Sequence, residues 1–162
     1  MKMQNENSLK IQEVQETQDL IPWLIFKLNK NLYTVNSRFI TSIVIKPTEV
    51  TLVPKVKDYI EGLIHLRGNV IPLINLKILL NIQDESADTA ENEEMVIVFE
   101  RENSVMGLVV DKVLSVENIS TYDETEEIKK MSSNGFLKGV AKGHKSDEIL
   151  LVMDEEKILL DA

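Results

Sequence analysis

Cysteine is absent from the 162 residues. That excludes disulfides and thiolate metal sites, and it makes the cytoplasm the expected compartment. Histidine is nearly as scarce. His65 and His144 are the only two, and neither belongs to an HExxH or other zinc-binding spacing, so no metal site is expected. Trp23 is the single tryptophan and no basic stripe is present, so the stacking platform and electrostatic footprint of a nucleic-acid-binding barrel are missing. No apolar run approaches the ~20 residues needed to cross a bilayer. The first residues, M-K-M-Q-N-E-N-S-L-K, lack the apolar centre of a signal peptide, and no polybasic patch offers a foothold on a membrane.

What is present suits an ordinary soluble globular protein, with 43% hydrophobic and 28% charged residues. The length allows one domain, or two small subdomains sharing an interface. The net charge of −9 is unevenly placed: residues 83–94, Q-D-E-S-A-D-T-A-E-N-E-E, hold six acids and no base. The first 19 residues add about −2 by the same count, which leaves the body close to neutral. Residues 83–94 read as a solvated acidic linker and residues 1–19 as a flexible tail.

The body opens with Pro22–Leu28, a β-rich run ended by Asn29-Lys30-Asn31, and Leu32–Val35 returns from that turn as a hairpin. Ser37–Ile45 is rich in β-branched residues and reads as a strand, with a helical start at Ser37 the weaker alternative. Val50–Val53 reads as a short strand stopped by Pro54. The densest signal is Tyr59–Ile82. Its apolar runs Ile60–Leu66 and Val70–Leu76 flank Gly68-Asn69, a dipeptide suited to a tight hairpin turn. Neither run alternates, so both hairpin faces should be covered. Pro72 cannot donate to a ladder, which predicts an edge strand or a bulge there. Asn75 offers a helix cap, with Ile78, Leu79 and Ile82 turned inward.

Beyond the linker, Met95–Phe99 and Ser104–Val110 form another predicted hairpin about a turn at Glu100–Asn103. Asp111–Ile119 fits strand or helix, and residues 120–134 fit a loop or short helix. Phe136–Ala141 and Glu148–Met153 flank the turn K-G-H-K-S-D, and Asp154 caps Glu155–Leu160. The halves echo one another. Gly62 heads one hairpin and Gly139 the other; Asn75 and Asp154 cap the helices that follow; Leu79-Leu80 and Ile158-Leu159 sit at the same offsets from those caps. Many short strands with few helices predict a closed or sandwiched, mainly β fold.

The stretch G-L-I-H-L-R-G-N-V-I-P-L-I-N-L, residues 62–76, resembles the signature of the CheW family, the coupling proteins of bacterial chemotaxis. Gly62, Leu66, Arg67, Gly68, Pro72 and Leu76 match its pattern in order without a gap, and Gly107–Val113 is similar to a second family segment. The resemblance covers residues 22–160. It implies two small five-stranded SH3-like barrels packed together with short helices: a first subdomain at 20–82, the linker at 83–94 and a second subdomain at 95–162, with terminal strands able to cross between them. Departures mark a divergent member. His65 stands for the family's usual Asn, Asn75 for its Asp and Lys77 for its Arg. Ser42 occupies the place of a glutamate that often pairs with the arginine matching Arg67, so Arg67 needs another acceptor.

The resemblance further implies a cytoplasmic adaptor, neither enzyme nor cofactor carrier. It would bind the regulatory domain of the histidine kinase CheA and the cytoplasmic tips of chemoreceptors. Matched to the family's receptor groove are Ile40, Arg67, Met95 and Val116; the kinase-facing candidates are Ile43 and Gly62. Service to a non-chemotactic sensor kinase is the alternative. A small β-barrel hydrolase using His144 and Ser146 is the rival of a different class. Those two residues share one loop tip with Asp147, which supplies neither a dependable base nor an oxyanion pocket. Gly139–Ser146 has the wrong glycine spacing and the wrong context for a phosphate loop.

Overall fold

A computed structural model describes residues 21–85, 93–119, 122–131, 135–143 and 148–161. The predicted tail, most of the acidic linker, and His144, Ser146 and Asp147 lie outside the described residues. Ten strands are present among the described residues: β1 (Trp23–Leu28), β2 (Asn31–Asn36), β3 (Ile40–Ile45), β4 (Ile60–Leu66), β5 (Asn69–Asn75), β6 (Met95–Arg101), β7 (Ser104–Val110), β8 (Lys112–Glu117), β9 (Leu137–Lys142) and β10 (Ile149–Met153). Three short helices, α1 (Leu76–Leu79), α2 (Glu126–Met131) and α3 (Glu155–Asp161), complete the set. The protein is mainly β, as expected.

The central strands do not alternate because both of their faces are covered. Leu24, Phe26 and Leu28 of β1 enter a large core shared by the two sheets, while Trp23 and Ile25 enter a smaller cluster with Leu150 and Val152. In β6, Ile97 and Phe99 join the shared core, and Val96 and Val98 join a second small cluster with Ile64, Ile71 and Leu73. Each sheet thus encloses its own apolar plug, and the two pack back to back. Each fully buried aliphatic or aromatic side chain contributes roughly 1.5–3 kcal/mol.

Strand pairing does not divide the chain at the acidic segment. One sheet runs β8-β1-β2-β10-β9 and the other β3-β6-β7-β5-β4. The first half of the chain supplies β1 to β5 and the second half β6 to β10, and each half lends its opening hairpin to the other half's sheet. Residues 20–82 and 95–162 therefore each supply strands to both sheets, and each sheet is a composite of the two. The lent hairpins dock by parallel pairing, β2 on β10 and β7 on β5. Parallel neighbours need a long connection, and the intervening strands provide it.

The echo between halves is present in the pairing itself. Gly62 lies opposite Leu73 and Gly139 opposite Val152. The next residues, Leu63 and Val140, bridge to Thr51 and Asp123. A Cβ on Gly62 would fall 2.5 Å from the Thr51 carbonyl oxygen, and one on Gly139 would meet the Asp123 oxygen. Both glycines are needed for close backbone approach. Asn75 accepts from the Ile78 amide at 3.2 Å and Asp154 from the Lys157 amide at 3.2 Å, capping α1 and α3 alike.

Several local expectations are corrected. The hairpin turn is Arg67-Gly68, with φ of 52° and 82°, because Leu66 pairs with Asn69; two positive φ values are the type I′ pattern that matches strand twist. β5 is an inner strand, and its register shift is not at Pro72. Leu63, opposite Pro72, exchanges its backbone bonds with Thr51 on its other side, and pairing to β7 begins only at Leu73. The missing N–H of Pro72 therefore costs no ladder bond. Val50–Val53 contributes only the single bridge at Thr51. Ser37–Phe39 is a 3₁₀ turn ahead of β3, with Asn36 accepting from the Arg38 amide. Ile78 faces outward, whereas Leu76 and Leu79 are buried and Ile82 packs on the core.

Candidate interaction surfaces

The outer strands β3 and β8 each carry two exposed apolar side chains. Each is the last strand of its sheet, so one side of it has no ladder neighbour. Ile43 lies opposite Ile97 and Val116 opposite Leu24. Both partners belong to the shared core, so Ile43 and Val116 continue that core beyond its rim. They occupy equivalent places in the two repeats, as do Ile40 and Val113, which face Phe99 and Phe26. Ile43 is 39% exposed and Val116 56%. Ile45 and Leu114 add exposed apolar surface on the same two strands. Exposed apolar rows at sheet edges mark interaction sites or aggregation hazards.

Arg67 projects from the β4–β5 turn and is exposed. A non-glycine residue held at φ 52° stores backbone strain, a feature often found at functional positions. Among the described residues its guanidinium has no hydrogen-bond or ion-pair partner. The remaining candidates are less accessible. Ile40 and Met95 are half-buried against the shared core. They sit at opposite ends of the β3–β6 ladder, Ile40 opposite Phe99 and Met95 opposite Ile45. The pairing does not gather Ile40, Arg67, Met95 and Val116 into one strand neighbourhood: Arg67 is at a turn and Val116 is in the other sheet. Gly62 is buried, and its requirement is structural. His65 is exposed on β4. Among the described residues no group of three His, Cys, Asp or Glu side chains is placed to hold a metal ion.

Apart from Lys77, the charged residues that pair near these surfaces were not singled out from sequence. After β7 the chain crosses between sheets at Asp111, whose carboxylate accepts from the Asn29 amide at 2.7 Å and pairs with Lys77 at 2.9 Å. Lys77 also reaches Asp84 at 2.8 Å. Burial pulls the Lys77 ammonium pKa down, but the hydrogen bonds and charges of Asp84 and Asp111 outweigh it and leave the group above its ordinary value of 10.5. After β2 the corresponding crossing is held by Arg38, which donates to Glu155 at 2.6 Å and to Glu156 at 3.0 Å. Glu155 is buried, and Lys138 Nζ lies 3.9 Å from its second oxygen. A third group joins Lys46 to Glu61 at 2.7 Å and to Glu94 at 3.3 Å, with Asn75 donating to Glu61 at 2.9 Å. The sequence signals for these pins were Lys77, noted as standing for the family's Arg, and the Gly107–Val113 segment, which contains Asp111.

Known proteins resemble this chain in sequence and fold. The chain resembles the chemotaxis protein CheV3 of Helicobacter pylori, 30% identical over 163 residues; the match takes in 96% of the chain but only half of that protein's length. It is 30% identical over 118 residues to the chemotaxis protein CheW of Thermotoga maritima, covering 72% of the chain and 73% of the relative. The crystal structure of the scaffolding protein TtCheW from Thermoanaerobacter tengcongensis superposes with a TM-score of 0.72 at 25% identity, covering 88% of this chain and 93% of that one. The model of the CheW-like domain matches residues 22–162, the span that holds both composite sheets and the two edge strands, and the chain belongs to that family.

Proposed function

We propose that the protein is a non-catalytic cytoplasmic adaptor that couples chemoreceptors to the histidine kinase CheA. The observation that carries this reading is the pair of equivalent outer strands, β3 and β8, each presenting apolar side chains beside the shared core. A protein that works through docking needs accessible patches more than a reactive centre. The relatives are named as chemotaxis and scaffolding proteins, which supports the same reading. No helix among the described residues is long and apolar enough to cross a membrane.

Receptor tips are assigned to Arg67 and Val116, with Ile40 and Met95 shaping the surface from beneath. The CheA regulatory domain is assigned to Ile43, with Gly62 contributing only close backbone packing. Titration of the purified protein with a receptor-tip fragment and with the CheA regulatory domain tests the proposal. Arg67→Glu should weaken receptor-tip binding by about 1–3 kcal/mol, the range of a central contact, with an unchanged thermal midpoint. Unaltered receptor binding removes Arg67 from the contact; absence of binding to either partner defeats the adaptor reading.

A further inference from the structure

The open end of the β8-β1-β2-β10 sheet holds a charge arrangement that the fold does not need. Across this end, Lys112 lies opposite Lys27, Lys27 opposite Leu32, and Leu32 opposite Leu150. Cross-strand partners share a face, and Leu32 and Leu150 belong to the plug inside this sheet. The two ammonium groups therefore stand at the mouth above an apolar floor. Lys30 in the β1–β2 turn, the exposed Leu114 and Ile149, and Glu148 line the same cleft, whose volume is about 530 Å³, a size typical of binding sites at barrel mouths.

Like charges directly opposite one another in an antiparallel pair are destabilising. Acids outnumber bases 27 to 18 in this chain, and Lys46, Lys77 and Lys138 each have carboxylate neighbours. Yet among the described residues no carboxylate forms an ion pair with Lys27, Lys30 or Lys112, and Glu148, although it lines the cleft, pairs with none of them. Three cations that no described carboxylate pairs with, above an apolar floor and with aliphatic side chains at the rim, call for a ligand that brings both carboxylates and apolar groups.

We propose that this mouth docks an acidic, amphipathic peptide segment of a partner protein. Its carboxylates neutralise the Lys27–Lys112 pair and Lys30, and its aliphatic side chains cover Leu114 and Ile149. A nucleic acid fits less well, since no aromatic ring lines the cleft for base stacking. An anionic membrane asks for a larger cluster of bases than three.

Fluorescence anisotropy of the full chain with a labelled ten-residue peptide of Glu, Asp and Leu provides the test, with its Gln/Asn counterpart as control. The acidic peptide should bind, weaken as salt shortens the screening length, and exceed the control by about tenfold or more. Lys27→Gln/Lys112→Gln should reduce binding by about tenfold, and Lys112→Glu should abolish it without lowering the thermal midpoint, because it turns a repulsive pair into an attractive one. That retained stability separates lost docking from lost folding. Equal binding of the neutral peptide, no binding of the acidic one, full binding by the double variant, or tighter binding of duplex DNA or phosphatidylserine vesicles would each overturn the proposal.

Discussion

The two crossings between sheets are built alike but with their charges exchanged. Arg38 follows β2 and pairs with Glu156 in α3; Asp111 follows β7 and pairs with Lys77 in α1. Glu156 and Lys77 are each the second residue of a capped helix, so the pairs correspond position by position. Their surroundings differ. The Lys77 side chain is 8% exposed and Glu156 48%. At a buried crossing the pair is costly to break, because removal of one partner strands a desolvated charge. At an exposed crossing the same contact is screened and worth little. One geometric solution therefore serves twice, with unequal energetic weight.

The largest expected effect tests whether the repeats contribute equally where both are buried. Phe26 and Phe99 occupy equivalent positions, opposite Val113 and Ile40, and both are at most 1% exposed in the shared core. Phe26→Ala and Phe99→Ala should each cost about 3–5 kcal/mol in urea unfolding. Similar losses with one cooperative transition support hairpin exchange, because each phenylalanine sits on a hairpin lent to the other half. Separate transitions for the two variants would mean that the halves fold independently and would break the comparison.

Next in size are the crossings. Lys77→Met should destabilise by about 3 kcal/mol, the low end for a broken buried pair, since Asp111 keeps the Asn29 amide. Glu156→Gln should cost less than about 1 kcal/mol. The pKa direction adds a sign. Lys77 is raised in the folded state, so its contribution is fully present below the unfolded-state lysine pKa and is lost as pH rises through the folded value above it. Unfolding followed from neutral to strongly alkaline pH should show wild type losing stability on that limb, with the loss reduced in Lys77→Met. Equal costs for the two substitutions would show that burial does not set the difference.

Local features were legible in the sequence because local chemistry decides them. Asn75 and Asp154 read as caps from their place before apolar helical residues, and Pro22–Leu28 read as the first arm of a hairpin with Leu32–Val35, which β1 and β2 form. The equivalence of Gly62 and Gly139 was visible as spacing. Strand partners were not legible: β1 pairs with β8, far along the chain, and nothing within Trp23–Leu28 states that preference. The meeting of Lys27 with Lys112, and of Lys77 with Asp111, follows from that hidden pairing. The placement of the turn was missed for a subtler reason. Gly68-Asn69 and Arg67-Gly68 both contain the glycine a tight turn wants, and only the Leu66–Asn69 pairing selects the second, leaving an arginine in a left-handed conformation. Among candidate contacts, Ile43, Arg67 and Val116 are accessible, whereas Ile40 and Met95 are half-buried against the shared core.

The smallest expected effects are the most informative about function, because they ask whether equivalent edges serve different partners. Ile43 and Val116 have the same relation to the shared core, on β3 and β8. Each is exposed enough that a charged replacement leaves the fold intact, with a stability change within about 0.5 kcal/mol for a surface position. If the edges are specialised as assigned, Val116→Lys should weaken receptor-tip binding and spare the CheA regulatory domain, while Ile43→Lys should do the reverse, each by about 1–2 kcal/mol. The flanking chemistry favours such a division. Val116 has Leu114 and Ser115 beside it, whereas Ile43 has Ile45 and the Lys46–Glu61–Glu94 group at the end of its strand. A partner reading β3 therefore meets an ion-pair cluster that a partner reading β8 does not. Isothermal titration of both variants against both partners gives four affinities. Parallel losses for the two variants would mean that one partner spans both edges, and the pseudo-symmetry would then describe how the protein folds without describing how it divides its partners.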